Sequence, residues 1–217
     1  MFVGHYGVSF VAKRIDCTIP LWMLFLAVQF LDVLWAPCIL LGIEKVRIVP
    51  GITASNPFDL YYMPYTHSLV AALVWSCIAG LAYQFIMRPE GHQASAVIGI
   101  AVFSHWMLDL IVHRPDLPLY DNSGKVGLGL WNFPTLAFGL ESAFLFGGLL
   151  FCLRGRPTHL LGTLAFGVLM LVIQAYIFFG PPPSSDRAAA LTALVSYAVF
   201  AAAIWWLQDR RAVRAAV

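Results

Sequence analysis

The chain has 217 residues, of which 60% are hydrophobic and 11% charged, whereas a soluble domain carries about 25% charged residues, so the composition is that of an integral-membrane protein. Thirteen basic residues against eleven acidic ones leave a formal net charge of +2, which supplies neither the polybasic footprint of a nucleic-acid binder nor an acidic disordered tail. The four cysteines, Cys17, Cys38, Cys77 and Cys152, lie far apart without Cys-x-x-Cys spacing and read as packing residues in or beside apolar segments.

Residues 2–13 come first, apolar but too short to cross a bilayer. The basic pair Lys13 and Arg14 follows this stretch instead of preceding it, so cleavage as a secretory signal is not expected. It reads as a half-inserted or re-entrant helix with its basic end at the interface. A crossing helix needs about 20 apolar residues, and runs of that length occur at 19–43, 65–87, 93–113, 133–153, 158–179 and 188–208. Two connections are long and turn-rich: Glu44 to Pro64, with Pro50, Gly51, Asn56 and Pro57, and Arg114 to Asn132, with Pro115, Pro118, Asn122 and Gly124. The others are short, which favours one bundle of antiparallel neighbours. The expected fold is therefore all-α: a polytopic transmembrane bundle of about six spans plus the short first helix, forming a single integral-membrane domain over 1–217. Basic residues set its orientation. With the N-terminus inside, Lys13, Arg14, Arg88, Arg154, Arg156, Arg210, Arg211 and Arg214 are cytoplasmic, against Lys45, Arg47, Arg114, Lys125 and Arg187 outside. Both termini are expected in the cytoplasm.

Ionisable groups inside spans are costly and usually functional. Asp32 lies within the first long span, Glu141 within the fourth, and His105, Asp109 and His113 within the third. Spacing of i, i+4 and i+8 turns each residue by only about 40° from the last, so the triplet shares one helix face. Two imidazoles and a carboxylate at that spacing suit zinc, with manganese or iron as alternatives. The plainer reading is a hydrogen-bonded network joining helices. At about 1.5 Å per residue, His105 and Asp32 lie about 18 Å and 19 Å from the cytoplasmic face, and Glu141 agrees at about 18 Å. His5 would stand about 12 Å above the same face. His67 opens a span on the outer side and reaches the others only if the loop before it dips inward. Asp32, Glu141 or His5 taken alone reads equally well as a core hydrogen bond or an interfacial group. His92 and His159 read as solvated, Trp106 and Trp131 as possible lining of an entrance, and Gly147 and Gly148 as sites of close helix packing.

Five pieces of sequence resemble the YdjM-like family of bacterial inner-membrane proteins, described as metal-dependent hydrolases. They are GHYGVSFVAKR with His5, Asp32 in its span, PYTHS with His67, SHWMLDLIVHRPDLPL with His105, Asp109 and His113, and GLWNFP followed by Glu141. The resemblance covers about residues 1–150 and implies a hydrolase of the bacterial inner membrane. The order of these residues is also distantly similar to the helical ligand clusters of zinc-dependent phospholipases C and related single-strand nucleases. The chain departs from that pattern in lacking an N-terminal Trp ligand and the His paired with the last Glu.

The resulting expectation is metal-assisted hydrolysis of an ester or phosphodiester bond in a lipid-like substrate, at a site opening toward the outer half of the bilayer. Asp32, His105 and Asp109 are the leading metal ligands, with His5, His67 and His113 behind them, and Glu141 is the general base, with Asp109 counted beside it in the catalytic set. The alternative is an ion- or proton-coupled transporter using the same groups, although no duplicated halves support it. Membrane lipid is the expected partner, and nucleic acid is not.

Overall fold

The computed structural model describes residues 1–154 and 160–209. They form eight α-helices and one two-stranded antiparallel sheet: α1 Val3–Ile15, α2 Leu21–Val28, α3 Phe30–Leu40, β1 Lys45–Ile48, β2 Phe58–Tyr62, α4 Leu69–Met87, α5 Gln93–Val112, α6 Pro134–Leu153, α7 Leu160–Phe179 and α8 Asp186–Ile204. The helix ends follow from local chemistry. Ser68 and Ser185 cap α4 and α8 by accepting the Ala71 and Ala188 amides, and Pro134 opens α6. α5 stops just before Arg114, whose following Pro115 disfavours helical backbone.

Five helices, α4 to α8, are long and apolar enough to cross a membrane, and the bent pair α2 and α3 makes a sixth. Their outward faces are apolar, with Leu73, Ile78, Leu81 and Phe85 of α4 and Val168, Val172 of α7 exposed. This belt suits a hydrocarbon surround.

The first long run is not one straight helix. It breaks at Gln29 and turns by 54° between α2 and α3. The break places Asp32 in the first turn of α3, where the helix dipole favours a carboxylate, and the Gln29 amide is taken up by the Phe2 carbonyl at 3.1 Å.

The short first helix enters the bundle about 20 Å deep and is buried along much of its length. It runs parallel to α6 at backbone contact. A Cβ on Gly148 would fall 2.1 Å from the Gly7 carbonyl oxygen, and one on Gly7 would fall 2.1 Å from that of Phe144. Gly147, expected to serve similarly, faces open space. The cysteines also differ from expectation: Cys152 is buried, but Cys38 is only half-buried and Cys17 and Cys77 are exposed. His92 is exposed as expected, while His159, Arg156, Arg210, Arg211 and Arg214 lie outside the described residues.

The two turn-rich connections interlock as a cap over one end of the bundle. Strand β1 pairs with β2 (Arg47 opposite Asp59, Ile48 opposite Phe58). The Tyr61 carbonyl accepts from Lys125 Nζ at 2.8 Å and Asn122 Nδ2 at 3.1 Å. Asp59 pairs with both Arg47 and Arg114, and Ser55 Oγ donates to the Trp131 carbonyl at 2.8 Å. The segments were legible as loops, but their pairing depends on contacts too distant in sequence for turn chemistry to reveal. Beneath the cap lies an apolar layer that includes Trp35, Leu60, Met63, Val112, Leu117 and Phe178.

Candidate metal centre

Directly under this cap, five elements bring together all seven ionisable residues singled out in the sequence. α5 contributes by spacing alone: His105 Nε2 lies 3.1 Å from Asp109 Oδ2, one turn further on. His113 has left the helix as its extended C-cap, yet its Nε2 is 3.5 Å from the same oxygen. From α1, His5 Nε2 reaches within 3.2 Å of Asp109 Oδ1, and its ring stacks on His105 with centroids 4.0 Å apart. The loop before α4 does dip inward. His67 Nε2 comes 3.3 Å from Asp32 Oδ1 and 3.8 Å from Asp109 Oδ2, while Asp32 Oδ1 is 3.7 Å from His105 Nε2. The Met1 amino nitrogen stands 2.5 Å from Asp109 Oδ1. On α6, Glu141 Oε2 accepts the amides of Phe2 at 2.8 Å and Gly4 at 3.2 Å, leaving buried Oε1 without a protein partner. Asp32 is half-buried and the other six are buried.

The outer nitrogens of three histidines fix their tautomers. His105 Nδ1 lies 2.8 Å from the Val28 carbonyl, one of the last acceptors of α2 that a helix leaves unfilled. A carbonyl can only accept, so this nitrogen carries the proton. His113 Nδ1 likewise donates to Asp116 Oδ1 at 2.9 Å. His67 Nδ1 is 2.8 Å from Thr66 Oγ1, whose own proton goes to Glu44 Oε2 at 2.6 Å, so the hydroxyl accepts from the imidazole. In neutral rings all three Nε2 lone pairs then face the Asp32 and Asp109 carboxylates. Metal-binding histidines are held in this way, with one nitrogen anchored and the other presented.

Among the described residues, two groups of side chains can hold a metal ion: His5, His105 and Asp109, and Asp32, His67 and His105, each with donor atoms within 4.8 Å of one another. His105 belongs to both, but with Nδ1 committed to Val28 it has a single lone pair to give. Asp109 offers different oxygens to different neighbours, Oδ1 to His5 and Oδ2 to His105, His67 and His113.

A cavity of about 620 Å³ leads to this cluster and is lined there by Asp32, His67, Asp109, His113 and Glu141. His5 and His105 sit behind them. Of the two tryptophans expected near an entrance, Trp131 lines the cavity and packs on His113 at 4.2 Å. Trp106 does not; it is buried and donates to the His67 carbonyl at 3.0 Å, fixing the backbone of that residue.

Supporting groups were missed in the sequence. Glu44 and Thr66 hold His67, Asp116 holds His113, and Tyr197 of α8 donates to Asp32 Oδ2 at 2.7 Å. Thr66 and Asp116 had a signal in their closeness to a histidine, in YTH and HRPD. Glu44 and Tyr197 had none, because they lie 23 and 165 positions from the residues that they support.

No protein-family model, curated protein or solved structure matches the chain.

Proposed function

We propose that the protein is a membrane-embedded, metal-dependent hydrolase that cleaves an ester or phosphodiester bond in a lipid-like substrate. In this reading the long helices cross a bacterial inner membrane with the Lys13 end of α1 and the C-terminus cytoplasmic, and the capped end faces outward. Met1 lies inside the bundle beside Asp109 and not at the cytoplasmic face that the basic-residue count gave it. The observation that carries it is the anchoring of His67, His105 and His113. Three Nε2 lone pairs and two carboxylates meet at 3.1 to 3.8 Å in a buried site. With the rings neutral, acceptors face acceptors, an arrangement that a bound cation relieves; the Met1 amino group meets only Asp109 Oδ1 and leaves Asp109 Oδ2 and Asp32 Oδ1 facing the imidazoles. A purely structural network would be better served by N–H donors on the carboxylates.

The nitrogen and oxygen donors suit zinc best, and manganese or iron next. An ion held there would polarise the attacked oxygen and lower the pKa of a water. Asp32, His67, His105 and Asp109 are the core ligands, supplemented by His5 and His113. Glu141 takes the proton from the attacking water through Oε1, while the Phe2 and Gly4 amides keep its other oxygen in place. The apolar remainder of the cavity, including Trp35, Phe58, Leu60 and Ile173, gives an acyl chain its solvent. The resemblance to the YdjM-like hydrolases supports the same reading.

A carrier is the second reading, favoured by the 54° break beside Asp32, since broken helices line many transport sites. Element-specific mass spectrometry on the purified protein, paired with hydrolysis assays on phospholipid and lipid-ester substrates, separates the two. Bound metal with chelator-sensitive hydrolysis is expected. Metal-free protein without hydrolysis overturns the hydrolase, and ion-coupled uptake into vesicles without hydrolysis establishes the carrier.

A further inference from the structure

Away from the metal-ligating cluster, the cavity wall holds two side chains with buried polar atoms that the protein itself does not satisfy, Trp35 through Nε1 alone and Gln174 through its whole amide. Gln174 of α7 is fully buried, and neither its Nε2 nor its Oε1 has a partner. Leaving a buried amide unpaired costs roughly 1–3 kcal/mol, which an apolar residue of similar volume would avoid. Several other polar residues of the lining are engaged, Ser55 with the Trp131 carbonyl, Thr53 with the Asn56 carbonyl, Asn56 with the Phe58 amide and Tyr197 with Asp32, while Ser184 and Thr192 are exposed and Ser196 is half-buried. The charged groups of the lining are the carboxylates of Asp32, Asp109 and Glu141 and the Met1 amino group, which is already paired with Asp109; neither Lys nor Arg contributes. The wall away from the cluster therefore has no uncommitted cation for an additional anionic group, but it has a carboxamide that both donates and accepts.

We propose that Gln174 is the specificity residue of this cavity and binds an uncharged hydroxyl or amide group of an amphiphilic ligand. The proposal rests on the hydrolase reading in taking the ligand to be the substrate, whose scissile bond lies at the histidine cluster while its neutral polar group reaches α7. The unpaired amide is then a preformed recognition element whose cost is recovered when ligand binds.

The test compares two short-chain lipids of equal charge, dihexanoyl-phosphatidylglycerol, whose head group carries hydroxyls, and dihexanoyl-phosphatidylmethanol, whose head group carries none. Binding to the purified full chain in detergent is followed by tryptophan fluorescence, since Trp35 and Trp131 line the cavity. Wild type should bind the glycerol lipid about tenfold more tightly, the scale of one well-made buried hydrogen bond. Gln174→Met should abolish this preference, leave affinity for the methanol lipid unchanged and melt no lower than wild type, because two unsatisfied polar atoms have been removed. Gln174→Leu provides a second apolar replacement should the methionine variant misfold. No preference in wild type, a preference retained in the variants, or a lowered melting temperature in well-folded variants overturns the proposal. Because binding is read without turnover, preference without hydrolysis refutes the hydrolase and keeps Gln174 as a recognition residue. Hydrolysis with an unchanged preference in Gln174→Met does the opposite.

Discussion

Glu44 and His67 are joined through one hydroxyl: Thr66 Oγ1 gives its proton to Glu44 Oε2 at 2.6 Å and lies 2.8 Å from His67 Nδ1. Glu44 Oε1 also accepts the Tyr65 and Thr66 amides at 2.8 and 2.9 Å. One buried carboxylate thus anchors the inward-dipping backbone and the ring that it presents. Thr66→Val keeps the shape and removes the hydroxyl, so zinc affinity should fall about 10- to 100-fold, as for the loss of a group that orients a metal ligand. Thr66→Ser should restore it. Competition with a chromogenic chelator measures both, and wild-type affinity in Thr66→Val would remove the Thr66 hydroxyl link from the account of the site.

The interlocked connections place Asn122 and Lys125 against Tyr61, so both connections must lie on one side of the membrane. Reporters inserted near Gly51 and near Asn122 should give the same external signal, and one near Gly91 the opposite signal. The basic-residue count sets the expected sign. Opposite signals from the first two would be incompatible with this bundle.

Gly7 and Gly148 set the approach of α1 to α6, and with it the height at which His5 meets Asp109. A methyl on Gly148 would meet backbone that cannot rotate away. Gly148→Ala should cost about 1–3 kcal/mol and lower the melting temperature in detergent, whereas Gly147→Ala, facing open space, should not. Equal behaviour of the two variants would argue against the close contact.

The ligand-type residues were legible because an ionisable group inside an apolar run stands out in any sequence, and because one helix face carries His105 and Asp109. Even His67 needed only the condition that its loop dip inward. The break at Gln29 was not legible. Nothing in LFLAVQFLDVLW forbids a continuous helix, and the bend exists where the freed end of α2 meets His105 and Gln29 meets Phe2. Gly147 and Gly148 were indistinguishable for a related reason, since only the neighbouring helix decides which of two adjacent glycines is needed. Gln174 looks in sequence like one polar residue in an apolar span, and its lack of partners is a property of the packed bundle alone.

Glu141 differs from the other carboxylates in how it is held, and the difference predicts how its variants fail. Asp32 and Asp109 face imidazole nitrogens with one or both oxygens, whereas Glu141 spends one oxygen on the Phe2 and Gly4 amides and leaves the other unpaired at the cavity. Glu141→Gln can keep an oxygen on those amides, so the N-terminal end of α1, and His5 with it, should stay in place. What it loses is the ability to take a proton. The variant should therefore retain metal and fold while hydrolysis falls by about 10²- to 10⁴-fold, the usual contribution of general acid-base catalysis. Asp109→Asn should lose metal and activity together, and His92→Ala, on the exposed cap of α5, neither. Metal content and turnover measured on the same preparations decide the matter: full activity in Glu141→Gln rejects the base, and metal loss in that variant makes Glu141 a ligand instead.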